Sequence, residues 1–332
     1  MSETEIRTVI FAPLNWGLGH VSRSIPLINK YKKDAWRILL ASDGDSAKLL
    51  QKEFPDIKVL EIPSELLKYS QTKSLIAHLQ VLLPAFLRNI KRDQLFVNKL
   101  LNKEQVDLIV SDNRYGFYSS KVESVILTHQ LQLPLPKYLR WTKKIVQNKL
   151  SKWISNFNEC WIVDDEKHSL AGDLSNEENL RIPFKFLGLQ SRFVKEDKRK
   201  EIDFLVVLSG LEPYRTVLEK KIIELFTNEN IKVTIVGGQF KNETINSKIK
   251  YLAFADGKLL NELMNKSKVV IARSGYSTIM DLIKLDKKAI LIPTPGQEEQ
   301  LYLASYHNRN NNFFIVNCND LDISKLKNIL LL

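Results

Sequence analysis

The chain has 332 residues, more than one ordinary hydrophobic core accommodates, and this length predicts two domains. A hydrophobic fraction of 44% with only 12 glycines and 11 prolines excludes disordered, collagen-like and low-complexity chains. The formal net charge of +11 predicts an anionic partner (nucleic acid, anionic lipid or phosphorylated substrate) or, failing that, a Lys-rich solvated surface.

The polar start Met1-Ser2-Glu3-Thr4-Glu5 does not read as a secretory signal. No apolar run approaches the ~20 residues that span a bilayer. Cys160 and Cys318 sit in apolar, strand-like runs without ligand spacing, which suits a reducing cytoplasm. Residues 8–12 form an apolar run, followed by a glycine-containing loop and a helical pattern over 21–31. Strands are expected at 37–41 and 57–60, then a helical region over 72–101 that Pro84 kinks or breaks. Further strands are expected at 106–110 and 124–128, a helix over 137–157, and a strand at 160–163. After a polar stretch the pattern restarts, with strands at 203–208, 232–236, 268–272 and 289–292 and a helix over 214–228. Short β-rich runs alternating with helices predict parallel sheets of βαβ units. The charge-rich residues 195–201 mark the junction. The expected organisation is an N-terminal Rossmann-like domain over 1–190, a linker at about 191–200 and a C-terminal domain over 201–332. In such sheets ligands bind at the carboxyl ends of the strands.

Two loops carry most of the chemistry. Gly17-Leu18-Gly19-His20-Val21-Ser22 follows the first strand and opens a helix, where free amides favour an anion. A dinucleotide fingerprint needs glycine at Ser22, so NAD(P) fits weakly even with Asp43 after the second strand. A tight turn alone is the plainer reading of this loop. His20 is a candidate general base because a neutral imidazole titrates near working pH, or else a packing residue. Asp112, at a strand's carboxyl end, is the second candidate base. The stronger signal is Arg273-Ser274-Gly275 after the strand 268–272, with Asp281 about two helical turns in. Amides at that helix start suit a diphosphate, and a carboxylate can accept from both ribose hydroxyls. An exposed helix charge is the plainer reading of Asp281. The Pro/Gly loop Pro293-Thr294-Pro295-Gly296 then leads to Glu299 and Gln300, which have the chemistry to bond sugar hydroxyls.

These segments resemble glycosyltransferase family 28, most clearly over 269–304. Ser111-Asp112-Asn113-Arg114-Tyr115-Gly116, Thr128-His129-Gln130-Leu131-Gln132, Leu208-Ser209-Gly210-Leu211-Glu212-Pro213 and Thr294-Pro295-Gly296-Gln297 are similar to a group of bacterial glycosyltransferases. The resemblance implies a GT-B fold: α/β, two Rossmann-like domains with parallel sheets facing a cleft. It implies inverting, metal-independent transfer from a nucleotide-sugar donor, a UDP-sugar, to a glycan or lipid-linked acceptor, with no cofactor. Donor contacts would come from Ser209, Gly210, Arg273, Ser274, Gly275, Asp281, Glu299 and Gln300. The acceptor side would be Gly17, Gly19, His20, Asn113, Arg114 and His129. Asn15, Trp16 and Leu18 stand where the family has small residues, and Asp281 stands where it usually has Glu. A GT-B-like nucleotide-sugar epimerase and a non-catalytic basic binder of membrane or nucleic acid are the alternatives. No aromatic-interleaved basic strand or nucleic-acid module is evident, so nucleic acid is not an expected partner.

A last expectation concerns location. Residues 137–154 are helix-compatible and basic and carry Trp141 and Trp153; residues 75–92 add Leu79, Leu82, Leu83, Phe86 and Leu87 beside Arg88, Lys91 and Arg92. Such segments either bury their apolar residues in the core or lie on the inner face of the plasma membrane, where anionic lipid attracts the cations.

Overall fold

The computed structural model describes residues 6–65, 75–210, 212–237 and 248–332. The chain forms two units, Met1–Gln190 and Ser191–Leu332. In the first, β1 (Thr8–Pro13), α1 (Gly19–Lys33), β2 (Arg37–Ser42), α2 (Gly44–Glu53), β3 (Val59–Glu61) and α3 (Leu75–Leu101) come first. Then follow β4 (Leu108–Asp112), β5 (Glu123–Thr128), α4 (Lys143–Ile154), β6 (Glu159–Ile162) and β7 (Phe184–Phe186). The seven strands are parallel, in the order β3-β2-β1-β4-β5-β6-β7. β1 and β4 are buried along their whole length, as expected of strands covered on both faces.

The second unit holds β8 (Ile202–Val207), α5 (Tyr214–Phe226), β9 (Val233–Val236), β10 (Ile249–Leu252), α6 (Gly257–Lys266) and β11 (Ser267–Ala272). It continues with α7 (Tyr276–Lys284), β12 (Lys288–Leu291), α8 (Glu298–His307), β13 (Phe313–Ile315) and α9 (Ile323–Leu331). Its six parallel strands run β10-β9-β8-β11-β12-β13. Its own core joins Phe204, Val206, Leu218, Ile222 and Phe226 to Val269, Ile271, Ile290 and Leu326. Residues 191–200, expected as a linker, pack within this unit. Phe193 is buried, Ser191 bonds Asp281, and the Asn265 side chain accepts from Glu196 N.

Three expectations are corrected. Pro84 does not break α3, which runs through it from Leu75 to Leu101; the expected start at 72 lies outside the described residues. The helix expected over 137–157 is a 3-10 turn, Lys137–Thr142, followed by α4. Cys318 lies in a short 3-10 turn rather than a strand. In both sheets the strand order reverses once, between β1 and β4 and between β8 and β11. The carboxyl ends at such reversals are where open α/β sheets leave room for a ligand.

Candidate functional site

At the first reversal, Pro13 of β1 lies beside Asp112 of β4. The chain turns at Gly17 (φ +79°) and enters α1, whose first turn carries His20. Trp16 and Leu18 project from this turn into solvent. His20 Nδ1 lies 2.8 Å from Asp112 Oδ1. Arg23 Nη2 also lies 2.9 Å from Nδ1, so the carboxylate calls for a proton there and the guanidinium for a lone pair; with the proton on Nδ1, the Nε2 lone pair is free. The imidazole is 14% exposed. Arg23, one turn along α1, donates from Nε to Asp112 Oδ2 at 2.8 Å and from a terminal nitrogen to Oδ1. Its other terminal nitrogen lies 2.5 Å from His129 Nδ1 at the end of β5. Ser24 Oγ also donates to Asp112, at 3.2 Å. Burial works to raise the Asp112 carboxyl, but the Arg23 guanidinium and then His20 outweigh it and hold it well below the usual carboxylate range. Asp112 is therefore an ionised, fully occupied anchor. His20 is the partly exposed member of the pair.

Asn113 follows at once, in a left-handed conformation (φ +54°). It is buried, and its Oδ1 has no hydrogen-bond partner among the described residues. Arg114 lies deeper: it is buried between Asp93, at 2.6 Å, and Asp43. Asp43 also accepts from Asn15 at 3.2 Å. Arg114 and Asp43 thus tie β2, α3 and β4 together beneath the loop, and the Arg114 guanidinium is committed to that clamp. Burial pushes Asp93 up to about 6, against the pull of Arg114.

At the second reversal, Ala272 of β11 lies beside Val207 of β8. Ser209 and Gly210, both exposed, follow β8. Arg273, Ser274 and Gly275 follow β11 and open α7, whose N-terminus has no side-chain cap. The start of α8 also lacks one. Uncapped amides at two helix starts favour an anion. Arg273 is buried, and its terminal nitrogens donate to the backbone oxygens of Tyr214, Ile292 and Pro293. Its Nε and the neighbouring Thr294 Oγ1 are buried without a partner among the described residues. Ser274 Oγ donates to Gln300 O at 2.8 Å, and Thr294 N donates to Gln300 Oε1 at 2.9 Å. These bonds bring the loops after β11 and β12 together. Gln300 Nε2 is held by Gln297 at 2.5 Å, and the partly buried Glu299 sits on the first turn of α8. Asp281 lies farther along α7, where Ser191 Oγ donates to it at 2.5 Å. Part of its surface still meets solvent, yet burial pushes its carboxyl up to about 7, against the bond from Ser191 and the charge of Arg192.

Sequence reasoning missed Arg23 and Ser191, and it quoted Thr294 within a motif without giving it a role of its own. Arg23 leaves a usable signal: it is a charge among the apolar positions Val21, Ile25, Leu27 and Ile28, three residues after His20. Among the described residues no group of three or more His, Cys, Asp or Glu side chains is placed to hold a metal ion. No described helix is long and apolar enough to cross a membrane.

Residues 212–332 match the glycosyltransferase family 28 C-terminal domain. A UDP-N-acetylglucosamine–N-acetylmuramyl-(pentapeptide) pyrophosphoryl-undecaprenol N-acetylglucosamine transferase from Clostridium tetani is 27% identical over 289 residues, covering 83% of this chain and 75% of that one. Among solved structures, the calicheamicin glycosyltransferase CalG4 superposes with a TM-score of 0.68 at 14% identity, covering 98% of this chain and 89% of that one. MurG of Acinetobacter baumannii gives 0.55 at 11% identity, covering 98% and 90%. These structural likenesses establish the two-domain fold shared with those proteins.

Proposed function

We propose that this chain, a family-28-like glycosyltransferase of the GT-B fold, moves a sugar from a nucleoside-diphosphate sugar to an acceptor hydroxyl in a single, inverting displacement. His20 Nε2 takes the proton of the acceptor hydroxyl while that oxygen bonds to the anomeric carbon. The bond from the anomeric carbon to the diphosphate breaks, and the nucleoside diphosphate leaves with the electron pair. Asp112, fixed by Arg23 and Ser24, holds the imidazole in the required tautomer and steadies the imidazolium that forms. The free carboxamide oxygen of Asn113 is a ready partner for the acceptor. The uncapped starts of α7 and α8, with Arg273 behind them, suit the departing diphosphate. Asp281 suits the ribose hydroxyls, and Glu299 and Gln300 the sugar.

The observation that carries this reading is the His20–Asp112 pair at the first strand reversal, opposite in chemistry to the anion-seeking loops at the second. The Clostridium tetani relative is named for a UDP-sugar donor and a pyrophosphoryl-undecaprenol acceptor, which supports a UDP-sugar and a lipid-linked acceptor here. The surface of the first unit supports the same reading. Tyr138 is 58%, Trp141 77% and Ile145 67% exposed, beside the exposed Arg140, Lys143 and Lys144. Leu83 and Leu87 are exposed on α3, whereas Trp153 packs against Phe86 and Tyr115. Apolar and cationic side chains exposed together suit peripheral attachment to the inner face of an anionic membrane.

A panel of nucleotide sugars, screened by thermal shift, identifies the donor. His20→Ala then lowers kcat by about 10²–10⁴-fold, the usual contribution of a general base, with donor Kd unchanged. Wild-type turnover by a folded His20→Ala protein overturns the assignment.

A further inference from the structure

We infer that Trp16 and Leu18 seat the acceptor and select a neutral sugar unit, one with no phosphate beside the attacking hydroxyl. The inference rests on the glycosyltransferase reading above and names the acceptor class that the first unit takes.

The loop before α1 turns its polar side chain inward and its apolar ones outward. Asn15 Nδ2 donates to Asp43 Oδ2 at 3.2 Å, and Ser46 N, in the first turn of α2, donates to Asn15 Oδ1 at 3.4 Å. Gly44 leaves room for this, since a Cβ there would lie 2.3 Å from Asn15 Nδ2. Past Asn15 the chain reverses at Gly17, and Trp16 and Leu18 flank that turn, 45% and 40% exposed. His20 follows Leu18 by two residues. Small residues at these two positions would open the loop's amides to a phosphate, and an indole and an isobutyl group narrow that approach. What they offer instead is an apolar surface beside the base. A pyranose ring presents C–H groups on its face, and an indole covers such a face with its negative π-cloud.

The charges around the loop disfavour an anionic acceptor. Each guanidinium here is already held by carboxylates: Arg23 by Asp112, and Arg114 by Asp43 and Asp93. Three carboxylates thus face two guanidiniums, and His20 adds no charge while it serves as a base. The surplus is negative, and burial screens it little. The amides that open α1 lack a side-chain cap, yet the cation in the first two turns of that helix, Arg23, is committed to Asp112. Those amides donate to hydroxyl oxygens as well as to phosphate. Asn113 Oδ1 sharpens the choice. It is buried, one residue beyond Asp112, and has no partner among the described residues. A carboxamide oxygen only accepts, so the group that meets it has to be a donor. A sugar hydroxyl or an acetamido N–H qualifies, and an ionised phosphate does not.

Matched acceptors test this. For glucose, galactose and N-acetylglucosamine in turn, the octyl glycoside is compared with the octyl glycosyl diphosphate of the same sugar. The donor is the nucleotide sugar that binds the wild-type protein, and mass spectrometry reads the product. In the pair that reacts, the octyl glycoside has a kcat/KM about tenfold or more above that of the diphosphate. Trp16→Ala raises KM for the octyl glycoside about tenfold, a larger change than in kcat, and Trp16→Phe restores most of the loss. Donor Kd is the same in both variants. Leu18→Lys, which brings a cation to the loop, narrows the gap by admitting the diphosphate. Equal or faster turnover of the diphosphate by the wild-type protein overturns the neutral acceptor and leaves the glycosyltransferase reading standing. Wild-type KM in a folded Trp16→Ala protein overturns the seat. Transfer to neither member of any pair, by a protein that binds the donor, overturns the glycosyltransferase reading and this inference with it.

Discussion

Asp281 carries two opposite pH dependences. In the folded protein its carboxyl is pushed up to about 7; unfolded, it returns to its ordinary 3.8. Between these values the folded state holds the extra proton, so stability falls as pH rises from about 4 to 7 and is level above. Asp281→Asn removes this dependence. The variant gains about 1–3 kcal/mol over wild type on going from pH 5 to pH 8, read from thermal or urea unfolding at the two values. Donor affinity runs the other way. Ribose hydroxyls donate best to the ionised carboxylate, so calorimetry shows nucleotide-sugar binding tightening from pH 5 to pH 8 in the wild type. In Asp281→Asn that slope is lost and binding is weaker by about 1–3 kcal/mol, the range for hydrogen bonds to a charged group. A flat stability difference between the two proteins across this range would show that the carboxyl is not held protonated.

Gly116 fixes how α3 lies on the first sheet. A Cβ there would sit 2.2 Å from the backbone oxygen of Ile90, and Gln94 on the same helix already donates to Gly116 O at 2.6 Å. Backbone cannot withdraw as a side-chain tip can. Gly116→Ala therefore costs about 2–4 kcal/mol in chemical denaturation, more than an ordinary overpacked side chain, because a whole helix has to shift. The central strands were legible because a parallel strand buried on both faces reads as a run of Val, Ile and Leu: β1, β4, β8 and β11 all do. β7, β10 and β13 were not, since three or four residues at a sheet edge leave no period to read. Pro84 left a kink and a break both open for a related reason, and the helix runs through it. A proline marks a missing hydrogen bond, and packing on both sides of it decides whether the helix continues. At the site, strand ends and glycine turns announced His20, Asp112 and Arg273. The pairing of Arg23 with Asp112, 89 positions later, exists only in the fold. Asn113 and Arg114 are neighbours in sequence, yet one has an unpaired buried oxygen and the other is locked in a clamp.

Each unit carries its own sheet and core, so residues 191–332 are expected to unfold cooperatively on their own and to bind the nucleotide sugar within a few-fold of the whole chain. Starting the fragment at 201 instead deletes Phe193 and the Ser191 bond to Asp281. That version loses about 2–3 kcal/mol, the worth of one buried aromatic side chain, in a side-by-side melt. Failure of both fragments to fold, with the intact chain stable, would mean the two units depend on each other. The sheet edges bear on how such a protein behaves in a crowd. Strands β3, β7 and β13 have three residues each and β10 has four. An exposed strand edge is a template for a neighbour's backbone, and its danger grows with length. Three residues offer a passing chain too few amide bonds to hold it. At high local concentration a protein meets its own copies constantly, and edges this short let those encounters end without cross-chain sheets.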